Sequence, residues 1–168
     1  MRFVSIDPSM SNTAIVWGNI DGNKVMPIGW EVVSSKKDKK ESVAIDSINR
    51  AREVIKTIQE KIEYFNPQIC FGESPNGSKS SSAMRGYGMS CCFLALLPNP
   101  VFVTPFDVKK FVNGTNSASK DDVMKLAEEL FPDFNFERSK DNKLIKTRME
   151  HVCDALIIAC SGLKKLNK

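Results

Sequence analysis

The sequence lacks a long apolar run, and none of its segments approaches the length of a membrane span. No charged and apolar leader precedes the first predicted strand, so we expect neither a secretory signal nor a membrane partner. The five cysteines include no CxxC pair, although paired spacing is typical of structural zinc sites. We therefore expect reduced and mostly buried thiols in a cytoplasmic protein.

Other residue types are present in ordinary proportions, with 42% apolar and 26% charged side chains. A chain of 168 residues with this composition predicts one globular domain, spanning 1–168, that buries its own core. The net charge of +4 indicates an anionic partner only weakly, because most lysine clusters lie in solvated loops. The lysine clusters are Lys36, Lys37, Lys39 and Lys40, then Lys109 and Lys110, and finally Lys164, Lys165 and Lys168.

Short apolar runs predict five strands, and apolar residues spaced by three and four predict five helices. The strands are expected at 3–6, 13–17, 25–33, 69–71 and 101–103, with a hairpin turn at Asp21-Gly22. The helices are expected at 48–65, 83–97 and 105–112, from the Ser119 cap to Pro132, and from Thr147 onward. Capping boxes are predicted for Thr104 with Asp107 and for Thr147 with Glu150. A hairpin followed by alternating helices and strands predicts an α/β fold, with a mixed sheet flanked by helices.

Two carboxylates follow predicted strands that should be neighbours in this sheet. Asp7 comes directly after the first strand, and Glu73 lies just past the fourth. Ligands of open α/β sheets bind at such strand ends. Carboxylates held close together repel each other unless a divalent cation neutralises them, and magnesium prefers oxygen ligands. The pair therefore predicts a magnesium site at this edge of the sheet.

The last predicted helix carries two more candidate ligands, His151 and Asp154. Their three-residue separation places them on neighbouring positions of one helix face, near the start of the helix. An acid that borders a buried run, as Asp154 does, usually has a partner or a cation. Ordinary interpretations stay open for single residues: Asp7 as a turn cap, Glu73 as a surface acid and His151 as an exposed residue. Their combination at strand ends and on a flanking helix favours a shared site.

Four ordered segments of the chain resemble the RuvC family of Holliday-junction resolvases, within the RNase H-like superfamily. The segments are Ser5-Ile6-Asp7-Pro8-Ser9, Cys70-Phe71-Gly72-Glu73-Ser74, Val108-Lys109-Lys110 with Lys120 eleven residues after Lys109, and Glu150-His151-Val152-Cys153-Asp154-Ala155-Leu156. Each motif is short, but together they keep family-like order and spacing over most of the chain. The resemblance implies an RNase H-like fold, with a mixed five-stranded sheet flanked by helices.

The resemblance also implies a metal-dependent endonuclease that resolves Holliday junctions and other branched DNA. Asp7, Glu73 and Asp154 would be catalytic, metal-binding carboxylates, and His151 would complete the site as a ligand or a proton-transfer group. Two Mg²⁺ ions, with Mn²⁺ as the alternative, would activate a water and stabilise the leaving 3′ oxygen. The products would carry 5′-phosphate and 3′-hydroxyl ends.

Contacts to DNA are implied at five further positions. Lys109 and Lys120 match basic positions that hold the DNA backbone, and Lys110, Ser80 and Arg85 are further candidate contacts. The helix after the central glutamate is rich in small residues, and the resemblance implies that it forms the interface of a homodimer. Ordinary packing of that helix on the sheet is the alternative.

One position departs from the family pattern. Bacterial members often carry an aromatic residue three positions after the central glutamate, where this chain has Asn76. The resemblance therefore implies no base-stacking side chain at that position. The small size and the lysine content suit a phage or viral member, and hence the cytoplasm of a bacterial cell or a phage-infected host.

Three other functions remain open from the sequence. The first is an RNase H-superfamily nuclease that cuts an RNA–DNA hybrid or a flap. The second is a non-catalytic DNA-binding relative, against which the intact set of acids argues. The third comes from residues 7–13, which resemble the phosphate loop of actin-like ATPases and sugar kinases. Those proteins have two lobes and much longer chains.

Overall fold

The computed structural model describes residues 1–77 and 80–167, which form five strands and five helices. The strands are Arg2–Asp7 (β1), Asn12–Asp21 (β2), Lys24–Ser34 (β3), Ile69–Glu73 (β4) and Pro100–Val103 (β5). The helices are Val43–Phe65 (α1), Ser81–Leu94 (α2), Pro105–Asn113 (α3), Lys120–Leu130 (α4) and Lys146–Leu166 (α5). Within the two described ranges, no helix combines the length and the apolar character that a membrane span requires.

The strands form one sheet in the order β3-β2-β1-β4-β5. β1, β2 and β3 pair antiparallel, whereas β4 pairs parallel with both β1 and β5. This arrangement confirms the predicted mixed five-stranded sheet. In the register of β1 with β4, Ile6 lies opposite Gly72, so the next residues, Asp7 and Glu73, leave the sheet side by side.

The sheet buries a hydrophobic core on each face, because alternate residues of a strand point to opposite sides. Val4 and Ile6 of β1 pack with α1 and the end of α2, whereas Phe3 packs with α5. Ser5 shares the α5 side, where its hydroxyl donates a buried hydrogen bond of 2.7 Å to the carbonyl of Ala155. Asp7 continues this alternation and therefore also faces α5.

α5 is buried on nearly all sides and lies close to the centre of the sheet. Gly162 permits the approach, because a Cβ atom there would lie 2.3 Å from the Phe71 ring on β4. The Ser5 hydroxyl ties α5 to β1 one residue after Asp154. These contacts fix the height of the first turns of α5 above the ends of β1 and β4.

The predicted cap of the last helix is wrong, and α1 begins at Val43, five residues before its predicted start. The Thr104–Asp107 capping box is present, but α5 begins at Lys146 after Ile145, without a side-chain cap. The Ile145 amide bonds to the Glu137 carbonyl, and the Ile145 carbonyl accepts from two amides of the first turn of α5. Thr147 therefore lies inside the helix, and the predicted Thr147–Glu150 box does not form.

The thiols are less buried than the sequence predicted. All five cysteines are free, as expected. Cys70 and Cys153 are buried, Cys91 and Cys160 are half-buried, and Cys92 is exposed on α2. Cys91 and Cys92 lie in the last turn of α2, where Ser90, Phe93 and Leu94 take the buried positions and leave the two thiols towards the solvent.

Candidate metal centre

Three of the predicted ligands meet where β1 ends beneath the first turns of α5. Asp7, His151 and Asp154 each offer one ligand atom, and these atoms all lie within 4.8 Å of one another. The His151 ring donates from Nδ1 to Asp7 Oδ2 over 2.9 Å. Carboxylate oxygens and an imidazole nitrogen at this separation are suitable ligands for a divalent cation.

Glu73 joins the group from the neighbouring strand. It lines a cleft of about 180 Å³ together with Asp7 and Asp154, and its side chain is half-buried. Two lysines, Lys109 in the middle of α3 and Lys120 at the start of α4, line the same cleft. The cleft therefore combines three acidic side chains with two basic ones in a space that admits a few small ligands.

The electrostatics of the cleft favour uptake of a cation. Burial raises the pKa of Glu73 to about 7, and the charges of Asp7 and Asp154 add to the effect, while Lys109 opposes it. Burial and the Asp7 charge likewise raise the pKa of Asp154 to about 7, against the opposing charges of Lys120 and His151. Both shifts mean that the ionised carboxylates lack enough positive charge around them, which a divalent cation would supply.

Protonation of His151 offsets part of this negative charge. Its hydrogen bond to Asp7 is the largest influence on its pKa and raises it above the ordinary value, although burial acts in the opposite direction. The other ring nitrogen, Nε2, lies 3.5 Å from Glu150 Oε1. The imidazolium form is therefore held between two carboxylates, and a cation that takes His151 as a ligand must displace its proton.

Glu150 also lies beside the site. The sequence predicted a different role for it, as part of a helix cap. Its carboxylate pairs with Lys120 at 3.0 Å as well as approaching His151. Glu150 and Asp154 are four residues apart, so both lie on one face of α5. This i, i+4 spacing was the available signal, and it points to a position beside the cleft rather than to a cap.

The five predicted DNA contacts are distributed unevenly. Lys109 and Lys120 line the cleft, whereas Lys110 lies over the Phe106 ring, with its Nζ atom 5.9 Å from the ring centre. Ser80 is the N-cap of α2, where its hydroxyl accepts from the Ala83 amide. Arg85 is exposed near the start of α2. The site thus brings together two of the five and leaves the other three outside the lining of the cleft.

Comparisons with known proteins locate similarity in the fold and not in the sequence. No protein-family model matches the chain, and no curated protein matches it in sequence.

Three solved structures are similar over almost the whole chain. RuvC of Thermus thermophilus, in complex with a Holliday junction substrate, has a TM-score of 0.72 and 17% identity, over 99% of this chain and 96% of its own. The yeast mitochondrial Holliday junction resolvase has a TM-score of 0.66 and 15% identity, over 96% and 77%. The fowlpox virus resolvase, in complex with Holliday junction DNA, has a TM-score of 0.57 and 17% identity, over 100% of both chains. The RNase H-like, RuvC-type fold predicted from the motifs is thereby confirmed.

Proposed function

We propose that the chain is a metal-dependent endonuclease that resolves branched DNA, with the four-way junction as its substrate. The observation that carries the proposal is the convergence of Asp7, Glu73, His151 and Asp154 beside two lysines of one small cleft. The RuvC-type fold supports it, because the similar solved structures are Holliday junction resolvases.

The donor set suits two Mg²⁺ ions, with Mn²⁺ as the alternative. Asp7, His151 and Asp154 would hold one ion, and Glu73 would share the second with Asp7, because both acids leave the sheet side by side. Bound ions of this kind lower the pKa of a water nucleophile and neutralise the negative charge of the leaving 3′ oxygen. The products would then be 5′-phosphate and 3′-hydroxyl ends.

The side chains of the protein bind and orient the substrate. Lys109 and Lys120 line the cleft, so each is placed to contact a phosphate on either side of the scissile bond. Asp7 fixes the orientation of the His151 ring through Nδ1, and Glu150 lies beside Nε2. His151 therefore serves as a ligand or exchanges a proton at Nε2, where Glu150 is the neighbouring acceptor.

A homodimer accounts for the unusual surface of α2. Ala83, Met84, Gly88 and Cys92 are exposed there, and a side chain built at Gly86 or Gly88 would meet no other atom within 4 Å. Small residues and open glycines permit a second copy of α2 to approach closely. Two protomers would present two clefts, as the cutting of two strands of a four-way junction requires.

The dimer can be tested with a native thiol. Oxidative cross-linking should join two protomers through Cys92, and substitution of Cys92 by serine should abolish the cross-linked band. Sedimentation of the unoxidised protein measures the same association without chemistry. A monomer at all accessible concentrations would refute the dimer and leave the nuclease proposal intact.

Cleavage assays test the enzymatic proposal. We expect Mg²⁺-dependent cutting of mobile and immobile four-way junctions, and little cutting of linear duplex. Asp7→Asn should bind the junction and fail to cut it, because it keeps the shape of the side chain and removes the charge that binds the ion. Asp21→Asn is the matched control, since Asp21 is an exposed acid at the end of β2; it should cut like the unchanged protein.

Other outcomes identify the alternative functions. Preference for an RNA–DNA hybrid or a flap would assign the site to another nuclease of the superfamily. Junction binding without cleavage under any divalent cation would indicate a non-catalytic relative. Cleavage retained by Asp7→Asn would exclude the assignment of the site itself.

A further inference from the structure

An exposed aromatic side chain lies beside the cleft. Phe106, in the first turn of α3, is 49% exposed. The preceding residue, Pro105, and the residue three positions later, Lys109, both line the cleft. Residues three apart are neighbours on a helix surface, so the Phe106 ring lies on the rim of the cleft next to Lys109.

Packing does not explain the position of Phe106. α3 packs on the α5 side of the core through Val108, Phe111 and Val112. Phe106 belongs to neither hydrophobic core cluster among the described residues. A single exposed apolar residue is common on protein surfaces, so its neighbours decide whether it has a role.

The neighbours of Phe106 are basic. Lys110, four residues later, holds its ammonium 5.9 Å from the centre of the ring, and Lys109 lies at the adjoining position in the cleft. The nearest acid on α3, Asp107, is already engaged by the Thr104 cap and by Lys165. The rim therefore presents one aromatic face and two lysines without an exposed acid between them on that helix surface.

An aromatic ring flanked by lysines is suited to nucleotides whose bases are unstacked. A base stacks on the ring independently of its identity, while the lysines contact the phosphates on either side. Stacking on Phe106 would place an adjoining phosphate at Lys109, beside Asp7 and Glu73 in the cleft. A fully paired duplex offers no base to such a ring, whereas a branch point does.

We infer that Phe106 is a positioning residue that stacks an unpaired base of the substrate at the rim of the cleft, with Lys110 bound to the neighbouring phosphate. The inference rests on the proposed function for the identity of its substrate. Phe106 acts by fixing the register of the strand relative to the carboxylates and takes no part in the bond-breaking step.

Three variants test this role. Phe106→Ala removes the ring, Phe106→Tyr keeps it, and Tyr64→Ala is the matched control, since Tyr64 is an 85% exposed aromatic on α1. We expect Phe106→Ala to weaken binding to a four-way junction about tenfold, with Ca²⁺ in place of Mg²⁺ to prevent cutting. Phe106→Tyr and Tyr64→Ala should bind like the unchanged protein. In cleavage assays, Phe106→Ala should raise KM and scatter the positions of the cuts.

Photo-cross-linking gives a second measurement, which uses the unchanged protein and therefore does not depend on whether a variant folds. A junction with photoreactive thymines at the branch should attach to the peptide that contains Phe106, as identified by mass spectrometry. Equal affinity, equal cut positions and no cross-link at Phe106 would overturn the inference.

The role of Phe106 can still be tested if the proposed function is wrong. If the unchanged protein neither binds nor cuts any junction, a short single-stranded oligonucleotide decides the role of Phe106. A loss of its binding in Phe106→Ala that Phe106→Tyr restores would support base stacking, and no difference between the variants would overturn it.

Discussion

The two ends of α5 lie beside cavities of opposite character. At the start of the helix, the cleft of about 180 Å³ is lined by Asp7, Glu73 and Asp154. Near the end of the helix, a cavity of about 650 Å³ is lined mainly by apolar side chains. Among its lining residues are Phe111, Leu130, Phe131 and Leu163. The smaller space holds the groups that can bind a cation, although the other cavity has more than three times its volume.

Burial acts on ionisable groups at both ends, with different consequences. It raises the pKa of the Cys160 thiol beside the large cavity to about 12, which keeps the thiol neutral and inert. It raises the pKa of Asp154 at the cleft to about 7, so this carboxyl group is only partly ionised at neutral pH. Metal binding would require the ionised form. The same physical cause therefore costs little at the far end, where the thiol is neutral, and makes the ionised carboxylate unfavourable at the near end.

The largest expected effect comes from Asp154→Asn. We expect the cleavage rate to fall by about a thousandfold or more, because one ligand charge is lost. Junction affinity should change little. We also expect the metal-free variant to be more stable than the unchanged protein at pH 8, by about 2 kcal/mol or about 6 °C in Tm. Calorimetry in the presence of a chelator measures the second effect.

The sign of the stability effect follows from proton binding. The folded Asp154 has a pKa of about 7, above its ordinary 3.8. Below pH 4 both states hold the proton and the carboxyl costs nothing; between pH 4 and 7 only the unfolded state releases it, so the folded state loses relative stability. The advantage of Asp154→Asn should therefore vanish at pH 4. An advantage that is equally large at pH 4 would contradict this electrostatic origin.

A core substitution at the other end of α5 should lower the stability of the protein and leave the cleavage rate unchanged. Leu163→Ala removes a side chain that is 5% exposed and packs in the α5 core. We expect a loss of about 3 kcal/mol in the free energy of unfolding. Cleavage at a temperature well below Tm should stay unchanged. A rate that fell together with stability would show that the two ends of α5 are coupled.

Metal binding should depend on pH at the near end. Glu73 and Asp154, each with a pKa of about 7, must release protons to bind Mg²⁺, and His151 must do so if it is a ligand. We expect Mg²⁺ affinity to rise about tenfold or more from pH 6 to pH 8. Titration calorimetry in two buffers of different ionisation enthalpy measures the protons released. The same dependence is expected for Leu163→Ala, and a pH-independent affinity would contradict the raised pKa values.

The strands that carry the acids could be predicted from the sequence because their signals are local. Apolar runs ending at Asp7 and before Glu73 mark buried strands, and their alternation decides which side chains face α5. The three-residue spacing of His151 and Asp154 likewise predicted that both lie on one face of the last helix. The convergence of all four at one point depends on the parallel pairing of β1 with β4, which the order of strands and helices and the ordered motifs both indicated.

The failures of prediction depend on contacts between distant residues. The α5 cap signal at Thr147 is overridden because Ile145 is held by the 137–145 loop, and because Met149 in the first turn is fully buried. Glu150 then pairs with Lys120 of another helix, and this contact could not be predicted from the α5 segment alone. The exposure of Phe106 could not be predicted from the sequence, because it depends on how α3 packs on α5.

The smallest expected effect concerns the lysines, one at each end. Lys120 lines the cleft but is 65% exposed, so its pair with Glu150 contributes little to stability. We expect Lys120→Gln to weaken junction binding about threefold and to reduce the salt dependence of binding by about one unit of slope, through loss of one phosphate contact. Lys164→Gln is the matched control, because Lys164 lies at the large cavity, over the Phe111 ring. Equal losses of junction affinity in both variants would mean that binding depends only on the net charge of the protein. A loss confined to Lys120→Gln would assign the phosphate contact to the acidic end of α5.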